Sequence, residues 1–261
     1  MLKINQLSFH YPKHPLLNNI NFTLEKGGLL TILGTNGAGK STLLNCIGGL
    51  LKPQTGEILL NGKHISSMSA KQLAQHLAYV SQNPPQTYGY TVTDYIVLGC
   101  AARLNLFTAP KPEDYQLAQS ALERLDIGHL TEKIYMQCSG GEKQLINIAR
   151  VLVQQPQIIL FDEPTAALDY GNVLKTLSLI KELSEQGFTI IMTSHNPDHP
   201  LLLHSRLPES QTAILDREGR LKTGNTADII TEENLNNLYG IKLRLTRIPD
   251  LNRKICTIAR W

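Results

Sequence analysis

Apolar residues recur at every second position in two N-terminal stretches: Leu2 and Ile4, then Ile20, Phe22 and Leu24. That period predicts half-buried strands over residues 2–9 and 20–24. Residues 29–33 (LLTIL) run without alternation, as in a strand covered on both faces. Residues 41–51 read as a helix that Lys52-Pro53 would end. Residues 57–60 read as a strand closed by the turn pair Asn61-Gly62. The first 80 residues thus look like an antiparallel layer around one strand–loop–helix unit. From about 85 to 155 the texture becomes helical. Pro84-Pro85 marks the break, and apolar residues recur at helical spacing over 92–107 and 113–126. Leu145, Ile148, Ala149, Leu152 and Val153 form one apolar helical face, and Pro156 ends that helix. This block reads as a helical insertion. Buried-strand runs return at 158–161 and 188–192, with a helix over 172–186 between them, the rhythm of a parallel sheet. A hairpin follows, with residues 213–215, a turn near Glu218-Gly219, and Leu221. Thr231 can cap a last helix, Glu232 and Glu233 favour its first turn, and Gly240 can end it. The final twenty residues alternate weakly at Ile241, Leu243 and Leu245 and are basic.

Composition narrows the class. A chain with 42% hydrophobic and 18% charged residues can build a packed core, which argues against disorder. A net charge of +3 is no nucleic-acid footprint, so no nucleic-acid partner is expected. Cys46, Cys100, Cys138 and Cys256 form no CxxC pair, so neither a zinc site nor a disulfide framework is indicated, and free thiols suit a reducing compartment. No run approaches the roughly 18 apolar residues of a membrane span, and the start of the chain has no apolar signal core. The expectation is a cytoplasmic protein whose membrane link, if any, runs through a partner.

The chemistry concentrates in short motifs. GTNGAGKS (34–41) fills the pattern GxxxxGK[ST] between a predicted strand and a predicted helix. Its glycines let backbone N–H groups turn inward onto phosphate oxygens, and the following helix aims its positive end at the same place. Lys40 adds a charge near the β- and γ-phosphates, and the Ser41 hydroxyl can ligate Mg²⁺. Asp162 and Glu163 end a buried strand, where ligands of open α/β sheets sit. Asp162 is the natural Mg²⁺ holder, and Glu163 can polarise a water as general base. Alone, the pair reads rather as an acidic pair ending a strand at a solvated edge; the upstream loop tips it to the functional reading.

CSGGEKQ (138–144), LFDEPTAALD (160–169) and the lone histidine of TSHNPD (193–198) complete a set that resembles the ATP-binding cassette family over residues 1 to about 241. The resemblance implies an α/β fold: a P-loop NTPase (RecA-like) core with an N-terminal antiparallel β subdomain and an inserted α-helical subdomain. Residues 242–261 are then a short C-terminal extension. It also implies a head-to-tail homodimer with two ATP molecules and Mg²⁺ between the subunits. Asn36, Gly37, Ala38, Gly39, Lys40, Ser41 and Thr42 would wrap the phosphates of one nucleotide. Ser139, Gly140 and Gly141 would close the partner's nucleotide from the other side. Read on its own, the Ser-Gly-Gly turn could equally be a plain helix cap. Gln82 matches the glutamine that reaches Mg²⁺ and the attacking water, His195 the switch histidine, Asp169 the loop that touches the partner's site, and Tyr11 the aromatic that stacks on adenine.

Two departures stand out. Cys138 replaces the usual leucine and is expected to pack as a small apolar residue. Thr35 stands where proline is common and keeps its N–H. AYVSQ (78–82), TVTDYIVLGC (91–100), SHNPDHP (194–200) and NLYGI (237–241) look like the ATPases of importers for ferric siderophores, haem, cobalamin and molybdate. Cys100 replaces an arginine common there. In such importers a permease helix enters the cleft beside the Gln82 loop, where Tyr88, Tyr90 and Leu98 are candidates, and a substrate-binding protein acts indirectly. The alternative is a soluble ABC-type ATPase not engaged in transport. An exporter half, whose membrane spans are often fused, fits less well. A plain P-loop kinase would leave the Ser-Gly-Gly turn and His195 unexplained.

Overall fold

The protein is described by a computed structural model for residues 1–12, 14–82, 89–104, 108–166, 168–249 and 253–259. The chain forms two compact units. One comprises Met1–Ser67 and Leu177–Trp261, the other Met68–Thr176. The first unit begins with β1 (Leu2–Tyr11), β2 (His14–Leu24), β3 (Leu29–Leu33), α1 (Lys40–Ile47), β4 (Thr55–Leu60) and β5 (Lys63–His64). Four of these strands make an antiparallel sheet in the order β2-β1-β4-β5. Along β1 the buried positions change from even to odd: Leu2 and Ile4, then Leu7 and Phe9. A bulge at Gln6, where φ is 49°, causes the slip, and the pairing with both neighbours shifts there. Gly56 faces that bulge at φ 82°, and a Cβ on it would run into the Gln6 carbonyl. Asn61 and Gly62 both take positive φ, as a two-residue hairpin turn requires.

The helix expected over 41–51 is shorter. It stops at Ile47 because Gly48-Gly49 unwinds it, with Gly49 at φ 70°, before Lys52-Pro53 is reached.

The second unit holds α2 (Ala70–Ala74), β6 (Leu77–Val80), α3 (Val92–Val97), α4 (Pro112–Arg124), α5 (Gly140–Gln154) and β7 (Ile158–Phe161). The helical block expected over 85–155 therefore belongs to a unit that also includes the parallel strands β6 and β7. Pro84 and Pro85 lie outside the described residues. The continuous helix expected over 92–107 is instead α3 followed by a tighter 3-10 turn, Leu98–Ala102. Gly99 within that turn lies so close to the Arg150 carbonyl of α5 that no side chain fits.

Val92, Ile96, Leu122, Ile146 and Ala149 pack the core of this unit together with Cys138. Each fully buried Val, Leu or Ile among them contributes about 1.5–3 kcal/mol. Tyr95 and Tyr135 stack in this core at 4.0 Å, and the Tyr95 hydroxyl donates to Asn147 Oδ1 at 2.8 Å. Asn147 is thereby satisfied although buried; losing its partners would cost about 1–3 kcal/mol.

The helix α6 (Tyr170–Glu185) spans the boundary in sequence. The first unit resumes with β8 (Thr189–Ser194), α7 (Asp198–His204), β9 (Gln211–Leu215), β10 (Leu221–Asn225), α8 (Thr226–Ile229), α9 (Glu232–Tyr239), β11 (Leu243–Ile248) and β12 (Arg253–Ile258). Here β3 pairs in parallel with β8 and with β9, and β10 adds antiparallel to β9. All five residues of β3 and all six of β8 are buried, which is why neither sequence alternates. The weakly alternating C-terminal segment is a hairpin, β11 on β12. It is tied to the first unit: Leu243 joins the cluster of Leu33, Leu201, Ile214 and Leu235, with Leu245 and Cys256 packed against it.

Candidate functional site

In the first unit, β3 and β8 run side by side with Leu33 opposite Ser194. Gly34 and His195 are therefore the next residues out of two neighbouring parallel strands, on the edge where α/β proteins bind ligands. The loop from Gly34 curls through Gly37 at φ 81° and Gly39 at φ 100° into α1. A Cβ on Gly39 would lie 2.9 Å from Leu16 Cγ, so both space and backbone demand glycine there. No side chain caps α1. The first N–H groups of any α-helix lack a partner within the helix, and such a start attracts an anion. Lys40 is buried beneath the loop, and its Nζ donates to the carbonyls of Gly34 at 2.9 Å and Thr35 at 3.2 Å. Asn36, Gly37 and Ser41 are exposed, whereas Ala38 and Thr42 are buried.

His195 is exposed on a turn that side chains hold in shape. The Asn196 N–H donates to Ser194 Oγ at 3.0 Å, and the Asp198 N–H to Asn196 Oδ1 at 2.9 Å. Ser194 Oγ also lies 2.9 Å from His199 Nδ1. Tyr11 ends β1, 44% exposed, with its ring edge-on to Phe9 at 5.0 Å.

In the second unit, β6 and β7 pair in parallel with Val80 opposite Phe161. Gln82 and Glu163 each stand two residues beyond that pair, again at the C-terminal edge. Asp162 is 5% exposed and accepts from the Tyr79 hydroxyl at 3.1 Å. Burial, reinforced by the Asp162 charge, pushes the Tyr79 hydroxyl well above its ordinary pKa, so it stays a donor. Glu163 is half-buried with φ 47°, a left-handed conformation that side chains other than Gly, Asn and Asp rarely adopt.

The Ser-Gly-Gly turn starts α5. The Ser139 hydroxyl accepts from the Glu142 N–H at 3.3 Å, and the Glu142 carboxylate accepts from the Ser139 N–H at 2.6 Å, a reciprocal capping box. That bond, more than the ion pair to Lys133 at 3.2 Å, holds the Glu142 carboxyl below its usual range. The Ser139 N–H is thus already used, and among the described residues no partner is seen for the N–H groups of Gly140 and Gly141 or for the Ser139 hydroxyl hydrogen. Cys138 is 5% exposed in the core of its unit, and burial raises its thiol pKa, so it packs as expected. Asp169 accepts from both the backbone and the side-chain N–H of Asn172, each at 2.8 Å. Asn172 Nδ2 also lies where a Cβ on Gly141 would approach to 3.1 Å. The Asp169 loop and the Ser-Gly-Gly turn therefore meet through Asn172, a residue no sequence motif singles out.

Mg²⁺ prefers oxygen ligands and is commonly held by one or two protein groups together with phosphate oxygens. The Ser41 hydroxyl and the Asp162 carboxylate are donors of that kind. Among the described residues no group of three or more His, Cys, Asp or Glu makes a closed metal cage. Ser41 and Asp162 each supply, taken singly, the kind of donor that suits a cation carried on a nucleotide.

A buried parallel strand feeding a glycine loop, an uncapped helix and a lysine beneath it defines a P-loop nucleotide-binding protein. The family described as ABC transporter matches residues 17–166. An uncharacterized ABC transporter ATP-binding protein of Haemophilus influenzae is 38% identical over 239 residues, covering 92% of this chain and 89% of its own length. The molybdate import ATP-binding protein MolC of the same organism is 34% identical over 244 residues, covering 93% and 89%. A solved ABC transporter assigned to the metal-chelate type, in an inward-facing conformation, superposes with a TM-score of 0.86 at 32% identity, covering 98% of this chain and 96% of that one. This chain belongs to the ABC transporter family and is an ABC-type ATPase.

Proposed function

We propose that the chain is the ATP-hydrolysing subunit of an importer. Closure of a head-to-tail dimer on two ATP molecules would drive a separate membrane permease that moves a metal chelate or metal oxyanion. The observation that carries this reading is the presence of two anion-ready helix starts in one chain. One, at Gly34–Ser41, has no side-chain cap on its helix and a lysine beneath the loop. The other, at Ser139–Gly141, is already capped and offers only a few donors. Two such turns make sense when each serves a different nucleotide.

In this reading Lys40 and the loop amides bind the β- and γ-phosphates, and Tyr11 stacks on the base. Ser41 and Asp162 hold Mg²⁺, which when bound neutralises charge on the phosphate oxygens. Glu163 takes a proton from the water whose oxygen bonds to the γ-phosphorus as the bond to ADP breaks. Gln82 orients that water, and His195 contacts the γ-phosphate. Asp169, fixed by Asn172, meets the partner subunit. The cargo is read from the relatives, one of them a molybdate import protein.

No helix among the described residues is long and apolar enough to cross a membrane, so in this reading the subunit sits on the inner membrane face through its permease. Tyr90 and Leu98 are 40% and 41% exposed, as residues receiving a permease helix would be. Tyr88 lies outside the described residues.

Glu163→Gln tests the reading. The variant should bind ATP normally, lose at least about a hundredfold in turnover, and run as an ATP-dependent dimer in size-exclusion chromatography. Turnover at the wild-type rate would overturn the general-base role. A variant that stays monomeric with ATP would overturn the sandwich.

A further inference from the structure

The Tyr239 hydroxyl donates to the backbone carbonyl of His195 at 2.7 Å, the ordinary length of a good O–H···O bond. The contact links residues 44 positions apart. The Tyr239 ring packs against the cluster of Leu33, Leu201, Ile214 and Leu238. Burial, with the nearby Cys256 thiol adding to it, pushes the hydroxyl well above its ordinary pKa, so it remains a donor across the physiological range.

Tyr239 is itself held from its own helix and from the C-terminal hairpin. Thr231 caps α9, and Gly240 closes it at φ 69°. Asn236 Oδ1 accepts from the Leu243 N–H at 2.6 Å, and Glu232 Oε1 from the Leu245 N–H at 2.9 Å, which ties β11 to α9. From the other strand, the Cys256 N–H donates to Asp198 Oδ1 at 2.7 Å. The segment from His195 to Asp198 is thus gripped at both ends by the last third of the first unit.

His195 needs such a grip. Its side chain is exposed, just past the end of β8, where no ladder partner fixes the backbone of the turn beyond the bonds of Ser194 and Asn196. Fixing the carbonyl fixes the torsion about the His195 Cα–C bond, and with β8 holding the residue before it this sets the direction of the Cα–Cβ bond, from which the imidazole turns about only two side-chain bonds. We propose that Tyr239 is a positioning residue for His195, and that the C-terminal hairpin keeps Tyr239 in place. The proposal rests on the reading of His195 as a γ-phosphate contact.

Tyr239→Phe removes the hydroxyl and keeps the ring. In the full-length protein it should lower kcat about fivefold, the scale of one lost hydrogen bond. KM for ATP should stay within about twofold and the unfolding midpoint within about 2 °C. In spectra of histidine-labelled protein, the imidazole resonance of His195, identified by its loss in His195→Ala, should shift or broaden while resonances of histidines away from this turn stay put. An unchanged kcat in Tyr239→Phe overturns the proposal. So does a lower kcat with the His195 resonance unmoved, which would mean a merely structural effect. His195→Ala turning over at the wild-type rate would overturn the reading beneath it, whatever the spectra show of the Tyr239 contact.

Discussion

At the start of α1 no side chain caps the helix, Gly39 stands at φ 100°, and a buried lysine lies under the loop. At the start of α5, Ser139 and Glu142 cap each other's backbone, Ser139 has ordinary extended geometry, and Gly140 and Gly141 follow without positive φ. Both are glycine-rich helix N-termini, yet they treat the orphan amides of a helix start in opposite ways. The first leaves them to a ligand and adds a full positive charge. The second satisfies two of them internally and keeps only a few donors. The difference predicts a division of labour: the first turn sets affinity, and the second contributes only after a nucleotide is already held.

Three substitutions break or sharpen that division. Lys40→Ala should weaken ATP binding by about a hundredfold or more, because a charge-assisted contact to phosphate is lost; isothermal titration reads this. Affinity within threefold of wild type would put the two turns on an equal footing. Ser139→Arg should lower steady-state turnover by more than about tenfold while ATP affinity of the monomer stays within about twofold. Parallel loss of both would make the second turn a structural cap alone. The smallest effect is expected from Glu142→Gln, which keeps a capping acceptor but removes its charge from the helix start and from Lys133. The Glu142 carboxyl is held below its usual range in the folded protein. Its contribution is therefore present above the ordinary carboxylate pKa and lost as pH falls through the lowered folded value. The variant should melt about 1–2 °C lower at pH 7, and the gap should close in acid below about pH 4. A gap that persists in acid would show that charge plays no part.

Both turns were visible in the sequence as motifs, and so were the strands β3 and β7. A strand buried on both faces writes itself as a short apolar run, and here the runs end one residue before Gly34 and Asp162. Elements governed by a close approach elsewhere in the chain were not legible. The helix after Val92 tightens because Gly99 must clear the Arg150 carbonyl, a partner about fifty positions away. The phase slip in β1 depends on Gln6 taking a positive φ, which a glutamine does not announce. Among residues near the candidate chemistry, Tyr79 on Asp162 and Tyr239 on His195 act through tertiary hydrogen bonds, and Asn172 on Asp169 through a local one. Asn172 had a local signal, since an asparagine three residues after an aspartate can pair with it at a helix start. Tyr239 had none beyond its place in NLYGI.

Glu163 sits at φ 47° in front of a proline, a conformation that costs a side-chain-bearing residue about 1–2 kcal/mol. Glycine would relieve that cost, and asparagine would reduce it, but neither carries a carboxylate. If Glu163 is the general base of the proposed function, heat resistance and chemistry pull this one position in opposite directions. On that proposal, a population of variants sorted only by unfolding temperature would drift away from glutamate here, and its most robust members would be binders of ATP that no longer turn it over.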